Sequence, residues 1–234
     1  MDATYFLKQR TNFIRFLYDE SEKPFVDIKR RIEVKEPPYD NPPYSEDGEP
    51  PYLEQWFDAD VARDVVGLTC VSLLSDTLKL YFLALETRVI GFAIPKADKQ
   101  QLFRDGYLSA YKVVLGEILQ TDWSDCPADF SIIEQVVLAR NRGQHGTELA
   151  SLRVTHDSKT LTKHPRPFFA EAEETAAWAE SGGSPESFMT PDILISRDRL
   201  FAAIGEVVTL AEWIDGKMDR AWVWRSGGQS VDQK

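Results

Sequence analysis

The sequence predicts a mainly α-helical fold: a helical bundle with a small β accessory in its C-terminal third. Three observations lead there. Several long stretches repeat apolar residues at steps of three and four, the spacing of one helix face. Only short segments in the last third, "LASLRVTH" and "PDILIS", have strand character, with "AWVWR" as a short terminal strand. Strands do not alternate with helices as they do around a parallel sheet.

Residues 3 to 18 place Phe6, Phe13, Phe16 and Leu17 on one side of a helix, and "KPFVDIKRRIEV" reads as a second short one. Together they form an N-terminal helical segment, residues 1 to 35. Residues 36 to 52 hold three Pro-Pro-Tyr steps among acidic residues and Gly48. Proline removes a donor and restricts the residue before it, so this is an extended connector whose tyrosines pack back on the body. It lacks the Pro-Pro-x-Tyr spacing of a WW-domain ligand.

From residue 53 to 225 runs the main helical domain, followed by a tail, 226 to 234. Residues 53 to 92 read as one long or slightly broken helix, with Val61, Val65, Leu68, Thr69, Leu73, Thr77 and Leu80 on one face. After Pro95 a second helix aligns Leu102, Phe103, Tyr107, Tyr111, Val114, Leu115 and Ile118, with Asp98 placed to cap it. A third, "FSIIEQVVLARN", carries Ile132, Ile133, Val136 and Val137, with Pro127 in its first turn. "EETAAWAES" and "SRDRLFAAIGEVVTLAEWID" complete the helical elements, the latter capped by Ser196.

Composition limits the function classes. A hydrophobic share of 43% is ample for a core, while the net charge of −11 disfavours broad adhesion to nucleic acid or anionic membrane. The first twenty residues mix charge into apolar positions, unlike a signal peptide. Residues 78 to 94 contain Lys79, Glu86 and Arg88, which argues against a membrane span. Cys70 and Cys126 have no metal-ligand spacing and read as free thiols, so a cytoplasmic protein is expected. Glycine-rich phosphate loops, nucleophile elbows and zinc-finger cysteine patterns are absent.

The chemistry concentrates in "ARNRGQHGTE", residues 139 to 148. Arg140, Asn141, Arg142 and His145 fall within six positions at the end of an apolar helix. On one unbroken helix Arg140 and His145 lie about 140° apart around the axis. Gly143 and Gly146 are placed to break the helix near Arg142 and bring both side chains into one cleft. Arginine can hold a phosphate with its charged fork, and a histidine with pKa near ~6.5 can move protons at neutral pH. Basic residues at a helix C-terminus also suit its dipole without any catalysis.

Arg140, Asn141 and His145 with four residues between Arg and His resemble the motif of the HEPN superfamily. There an Arg, often followed by Asn, precedes a His by four to six intervening positions. The resemblance covers roughly residues 53 to 150. It implies a metal-independent endoribonuclease in which the 2'-hydroxyl of RNA attacks the adjacent phosphate. Arg140 and His145 would be catalytic and Asn141 supporting, with Arg142 and Arg153 as substrate contacts and no cofactor or metal. It also implies a homodimer with two motifs across a shared cleft, a toxin or phage-defence role, and a neutralising antitoxin-type partner. The alternative is a non-catalytic HEPN-like dimerisation or protein-interaction module.

Other residues carry weaker signals. His156 and His164, in "THDSKTLTKHPRP", have spacings that match no common zinc pattern. Lys159, Lys163 and Arg166 make that segment locally basic. Asp76, Glu86 and Arg88 are candidates to face the motif from a neighbouring helix, while Glu134 and Gln135 are expected to be exposed. Trp178, Trp213, Trp222 and Trp224 offer stacking surfaces or core.

Overall fold

A computed structural model describes residues 1–42, 48–144, 151–182 and 190–228. Among them are nine α-helices: α1 (Ala3–Val34), α2 (Leu53–Ala84), α3 (Lys96–Leu102), α4 (Tyr107–Ile118), α5 (Phe130–Gln144), α6 (Ser158–Lys163), α7 (Ala172–Glu180), α8 (Arg197–Asp215) and α9 (Met218–Gly228). The mainly helical fold is as the periodicity predicts. The described residues divide into two compact units, each gathered from distant parts of the chain.

One unit takes 1–13, 74–134 and the chain from 202 onward. Its core is aromatic. Phe82 stacks on Tyr111 at 4.9 Å between ring centroids. Three buried or half-buried side chains satisfy backbone carbonyls: Tyr81 on Ala211 (3.2 Å), Tyr107 on Ser75 (3.0 Å) and the Trp123 indole on Lys112 (2.9 Å). Each polar end thereby keeps a partner while its ring leaves water.

The other unit takes 14–73 and 135–201, and contains most of the motif helix. Buried Tyr18 donates to the Ile195 carbonyl (3.3 Å), and Arg63 grips Glu22 with two nitrogens at 2.9 and 2.6 Å. One very tight approach is at Gly67. A Cβ added there would lie 2.7 Å from both Cβ and the carbonyl oxygen of Ile195, so only glycine lets α2 come this close to residue 195.

Several expectations need correction. No strand forms among the described residues. "LASLRVTH" and "PDILIS" meet at a single antiparallel bridge, Thr155 to Asp192, flanked by Ile193 N–H to Val154 O (2.8 Å) and His156 N–H to Pro191 O (3.0 Å). Leu194 N–H turns instead to Phe169 O (3.0 Å), so the ladder stops. "AWVWR" lies within α9, whose end is tied by Arg220 to the Leu119 and Gln120 carbonyls (3.2 and 3.1 Å). "KPFVDIKRRIEV" is no separate helix: α1 continues through Pro24. The long or slightly broken helix expected after residue 53 is found: α2 passes at Ala84 into a π-helical turn, Leu85–Val89, and Gly91 follows at φ +77°. Gly106, at φ +91°, splits the next predicted helix into α3 and α4, and Asp98 caps nothing. Asp129, rather than Pro127, starts α5, accepting the Ser131 and Ile132 N–H groups (2.8 and 3.3 Å). Ser196 lies at the start of α8, accepting Arg199 N–H at 3.4 Å.

Two helix faces also differ from expectation. On α2 the buried residues include Cys70, Val71, Leu74, Leu78, Tyr81 and Phe82, while Val65 and Leu80 are exposed. On α1 Leu7, Thr11, Ile14 and Tyr18 are buried and Phe6, Phe13 and Phe16 face water.

The segment Leu53–Val89 is long and apolar enough to cross a membrane, yet 56% of its most apolar window is buried inside the protein, as in a core helix. The glycines separate by space. Gly67→Val should cost about 2–3 kcal/mol by overpacking against Ile195. Gly205→Ala, where an added Cβ meets open space within α8, should add up to ~1 kcal/mol through helix propensity. Urea unfolding midpoints of the two variants check both signs.

Candidate functional site

The motif helix α5 presents different work on different sides. Ile133 and Val136 are buried, and Arg140 and Gly143 continue their line toward the C-terminus. Gly143 meets Leu68 of α2: a Cβ there would come within 2.7 Å of the Leu68 side chain. Gln135, Ala139 and Arg142 lie on another side. Residues two apart on a helix point about 200° apart, so Arg140 and Arg142 face in nearly opposite directions.

Arg142 is turned inward. Its Nε donates to the Thr155 carbonyl at 3.0 Å. Gln135, expected to be exposed, is buried and accepts the Phe168 N–H at 2.6 Å. One side of α5 thus holds two points of the extended chain that follows the motif. Between them sits His156, buried, with Nε2 3.0 Å from the Phe169 carbonyl. That contact requires Nε2 to donate, which the neutral ring can do. Burial pushes the His156 pKa down, against weaker upward pulls from the Phe169 carbonyl and Asp157. Asp157 caps α6 by accepting Thr160 N–H at 2.7 Å.

Arg153 is likewise engaged within the protein. It pairs with Asp60 and, at 2.9 Å, with Asp64; Lys29 reaches Asp60 as well. Burial acts on Asp60, but bonds from Lys29 and Arg153 outweigh it and hold its carboxyl below the usual range. Asp64 moves the other way, its pKa raised by burial despite Arg153. Asp192 is also raised, by burial. Two cations among three carboxylates hold residue 153 against α2, and the cluster offers no net positive charge to an anionic ligand.

Arg140 and Asn141 occupy the last turn of α5. Arg140 is half-buried and its Nη1 donates to the exposed Asn141 amide oxygen at 3.3 Å. The helix runs to Gln144 instead of breaking near Arg142. His145 lies outside the described residues, as does Gly146. The structure therefore joins Arg140 to Asn141 and places Arg142 and Arg153 on separate structural duties.

No family model, characterised protein or solved structure matches the chain. Its functional reading rests on its own residues.

Among the described residues no group of three His, Cys, Asp or Glu is placed to hold a metal. Glu86, a candidate to face the motif, accepts the Tyr111 hydroxyl at 2.5 Å. The two thiols are free; burial raises Cys70 to about 11, which keeps it protonated and unreactive at neutral pH. Asp60 and Asp64 are the site-supporting residues that sequence reasoning passed over, and Gln135 is one that it expected to be exposed. Gln135 had a signal, since it sits four and seven residues before Ala139 and Arg142 on one helix side. Asp60 and Asp64 are four apart on α2, but nothing in the sequence links them to residue 153.

The His156 ring gives a pH test. Its folded pKa is depressed, so its contribution is complete above the free imidazole value of 6.5 and is lost as pH falls from there toward the folded value. His156→Gln should flatten that part of the stability profile. Gln135→Ala, which strands the Phe168 N–H, should cost about 1–3 kcal/mol at neutral pH. Urea unfolding across the acid range reads both effects.

Proposed function

We propose that this protein is an HEPN-like, metal-independent endoribonuclease, working as a homodimer in the cytoplasm as a toxin or defence effector. The reading is carried by the last turn of α5. There a half-buried arginine is bonded to an exposed asparagine at the C-terminal end of the described helix Phe130–Gln144. Arg140 is held in place before any ligand arrives, which lowers the ordering cost of binding phosphate.

In this reaction His145 takes the proton of a 2'-hydroxyl, and the 2'-oxygen bonds to the adjacent phosphorus. The bond from phosphorus to the 5'-oxygen breaks, and that oxygen takes a proton from the His145 of a second copy. Arg140 offsets the charge that grows on the phosphate oxygens, and Asn141 orients the guanidinium. Arg142 and Arg153 act indirectly in this scheme, fixing the chain that follows the motif through Thr155 and through Asp60 and Asp64. Free thiols suit a reducing compartment. An unrestrained ribonuclease would be toxic, so a neutralising protein partner belongs to this reading.

A second reading, a non-catalytic protein-interaction module, is favoured by the net charge of −11 and by exposed Trp222, Val223 and Trp224 on α9. Incubation with end-labelled single-stranded RNA in excess EDTA separates the two. The enzyme yields cyclic-phosphate and 5'-hydroxyl ends, and His145→Ala and Arg140→Ala each reduce cleavage by roughly a hundredfold or more. A folded wild type that leaves several RNAs intact supports the module.

A further inference from the structure

We propose that the cleft bordered by the stretch after the π-helical turn, by α4 and by α9 is a binding site for a small organic cation with an apolar body. The cleft lies entirely within the unit of residues 1–13, 74–134 and 202 onward. It uses no residue of the motif, so it stands apart from the ribonuclease reading.

Each border of the cleft is held by bonds within the protein. The turn Leu85–Val89 and Gly91 lead into residues 92–95, of which Phe92 and Ile94 are buried. Glu86 secures this stretch twice: its carbonyl accepts the Phe92 N–H at 3.0 Å, and its carboxylate accepts the Tyr111 hydroxyl of α4 at 2.5 Å. On α4, Tyr111 and Leu115 are buried, whereas Ser109, Val113 and Glu117, at steps of four, share a face and line the cleft. Arg220 ties α9 to the Leu119 and Gln120 carbonyls just beyond α4 (3.2 and 3.1 Å). Trp224, one turn further along the same side of α9, lines the cleft as well. A ligand therefore meets walls that are already ordered, which lowers the cost of binding.

The cleft measures about 670 Å³, inside the range of about 300–1,000 Å³ typical of small-molecule sites. Phe92, Ile94, Leu102 and Ile118 give it an apolar lining. Val113 and Trp224 stay 51 and 40% exposed there, and each would leave water on contact with an apolar body.

Charge selects the occupant. Among the described residues that line the cleft, three carboxylates, Asp98, Asp105 and Glu117, stand against one guanidinium, Arg104, whose Nε is 3.7 Å from Asp105. Lys99 is turned to the Phe103 ring, 5.6 Å from its centroid. A recess lined mainly by one sign of charge concentrates ligands of the other sign. A phosphate or carboxylate ligand is repelled here, and among the described residues no three His, Cys, Asp or Glu side chains converge to hold a metal. An organic ammonium satisfies both halves of the lining. Its body covers Val113 and Ile118, its charge lies among the carboxylates, and tryptophan is the strongest aromatic partner for a cation.

Naphthylmethylammonium, naphthylmethanol and naphthoate share a ring system and differ in charge, and fluorine NMR of the full chain carrying fluorotryptophan reads their binding. Of the six tryptophan resonances, that of Trp224 is the one missing from Trp224→Phe. The ammonium should shift it with a Kd on the order of 0.1–1 mM, as suits a ligand of this size. The alcohol should bind roughly tenfold more weakly or worse, and naphthoate not at all. Asp98→Asn combined with Glu117→Gln, both at exposed positions, should remove the preference for the ammonium over the alcohol, and Val113→Arg should abolish ammonium binding, each with unchanged helical circular dichroism. A Trp224 resonance that ignores the ammonium overturns the proposal. So does an alcohol or naphthoate that binds as tightly as the ammonium, or a double variant that keeps the preference.

Discussion

An extended chain that does not join a sheet must still find a partner for each amide it buries. The unit built from residues 14–73 and 135–201 faces this constraint three times, near 153–156, 168–169 and 191–195. It solves it without a ladder. The stretches exchange a few bonds among themselves: Ile193 with Val154, His156 with Pro191, Leu194 with Phe169. Helix side chains supply the others: Gln135 for Phe168, Arg142 for Thr155, Tyr18 for Ile195. Close approach to α2 is then possible because Gly67 carries no side chain.

This arrangement divides the motif. Of its two arginines, Arg142 is bonded to the backbone of the chain that follows and Arg140 to the exposed Asn141. A lysine at 142 would keep the charge but lose the planar fork that reaches Thr155. The same logic applies to Arg153, whose two carboxylates on α2 are four residues apart and so share a face. Cations that look like ligand contacts in the sequence become part of the scaffold once the chain folds.

Helices were legible in the sequence because their apolar spacing is a local property. Their faces were less so. α2 carries apolar residues on more than one side from residue 65 onward, so periodicity alone could not choose between the Val61, Val65, Leu68 side and the Cys70, Leu74, Leu78 side. On α1 the aromatic stripe was read correctly as one side of a helix, but burial goes to smaller and less obvious residues opposite, Leu7, Thr11 and Ile14. The β-branched stretches after the motif carry a true extended preference. Whether they build a sheet depends on partners far away in sequence, and residue 194 finds Phe169 before it finds a strand. At the motif, the sequence puts Arg140 and Asn141 on a helix, as the structure has them, whereas the inward turn of Arg142 depends on where residue 155 arrives.

The double use of the Phe169 carbonyl has a consequence for how this unit opens. It accepts both the Leu194 amide and the His156 ring, so two extended stretches separated by nearly forty residues share one acceptor. Neither can peel away without stranding a donor that the other side helps to position. Local opening here is therefore cooperative, and the amides of Phe168, Ile193 and Leu194 belong to one unit of slow hydrogen exchange, with the protection usually found in a β-sheet.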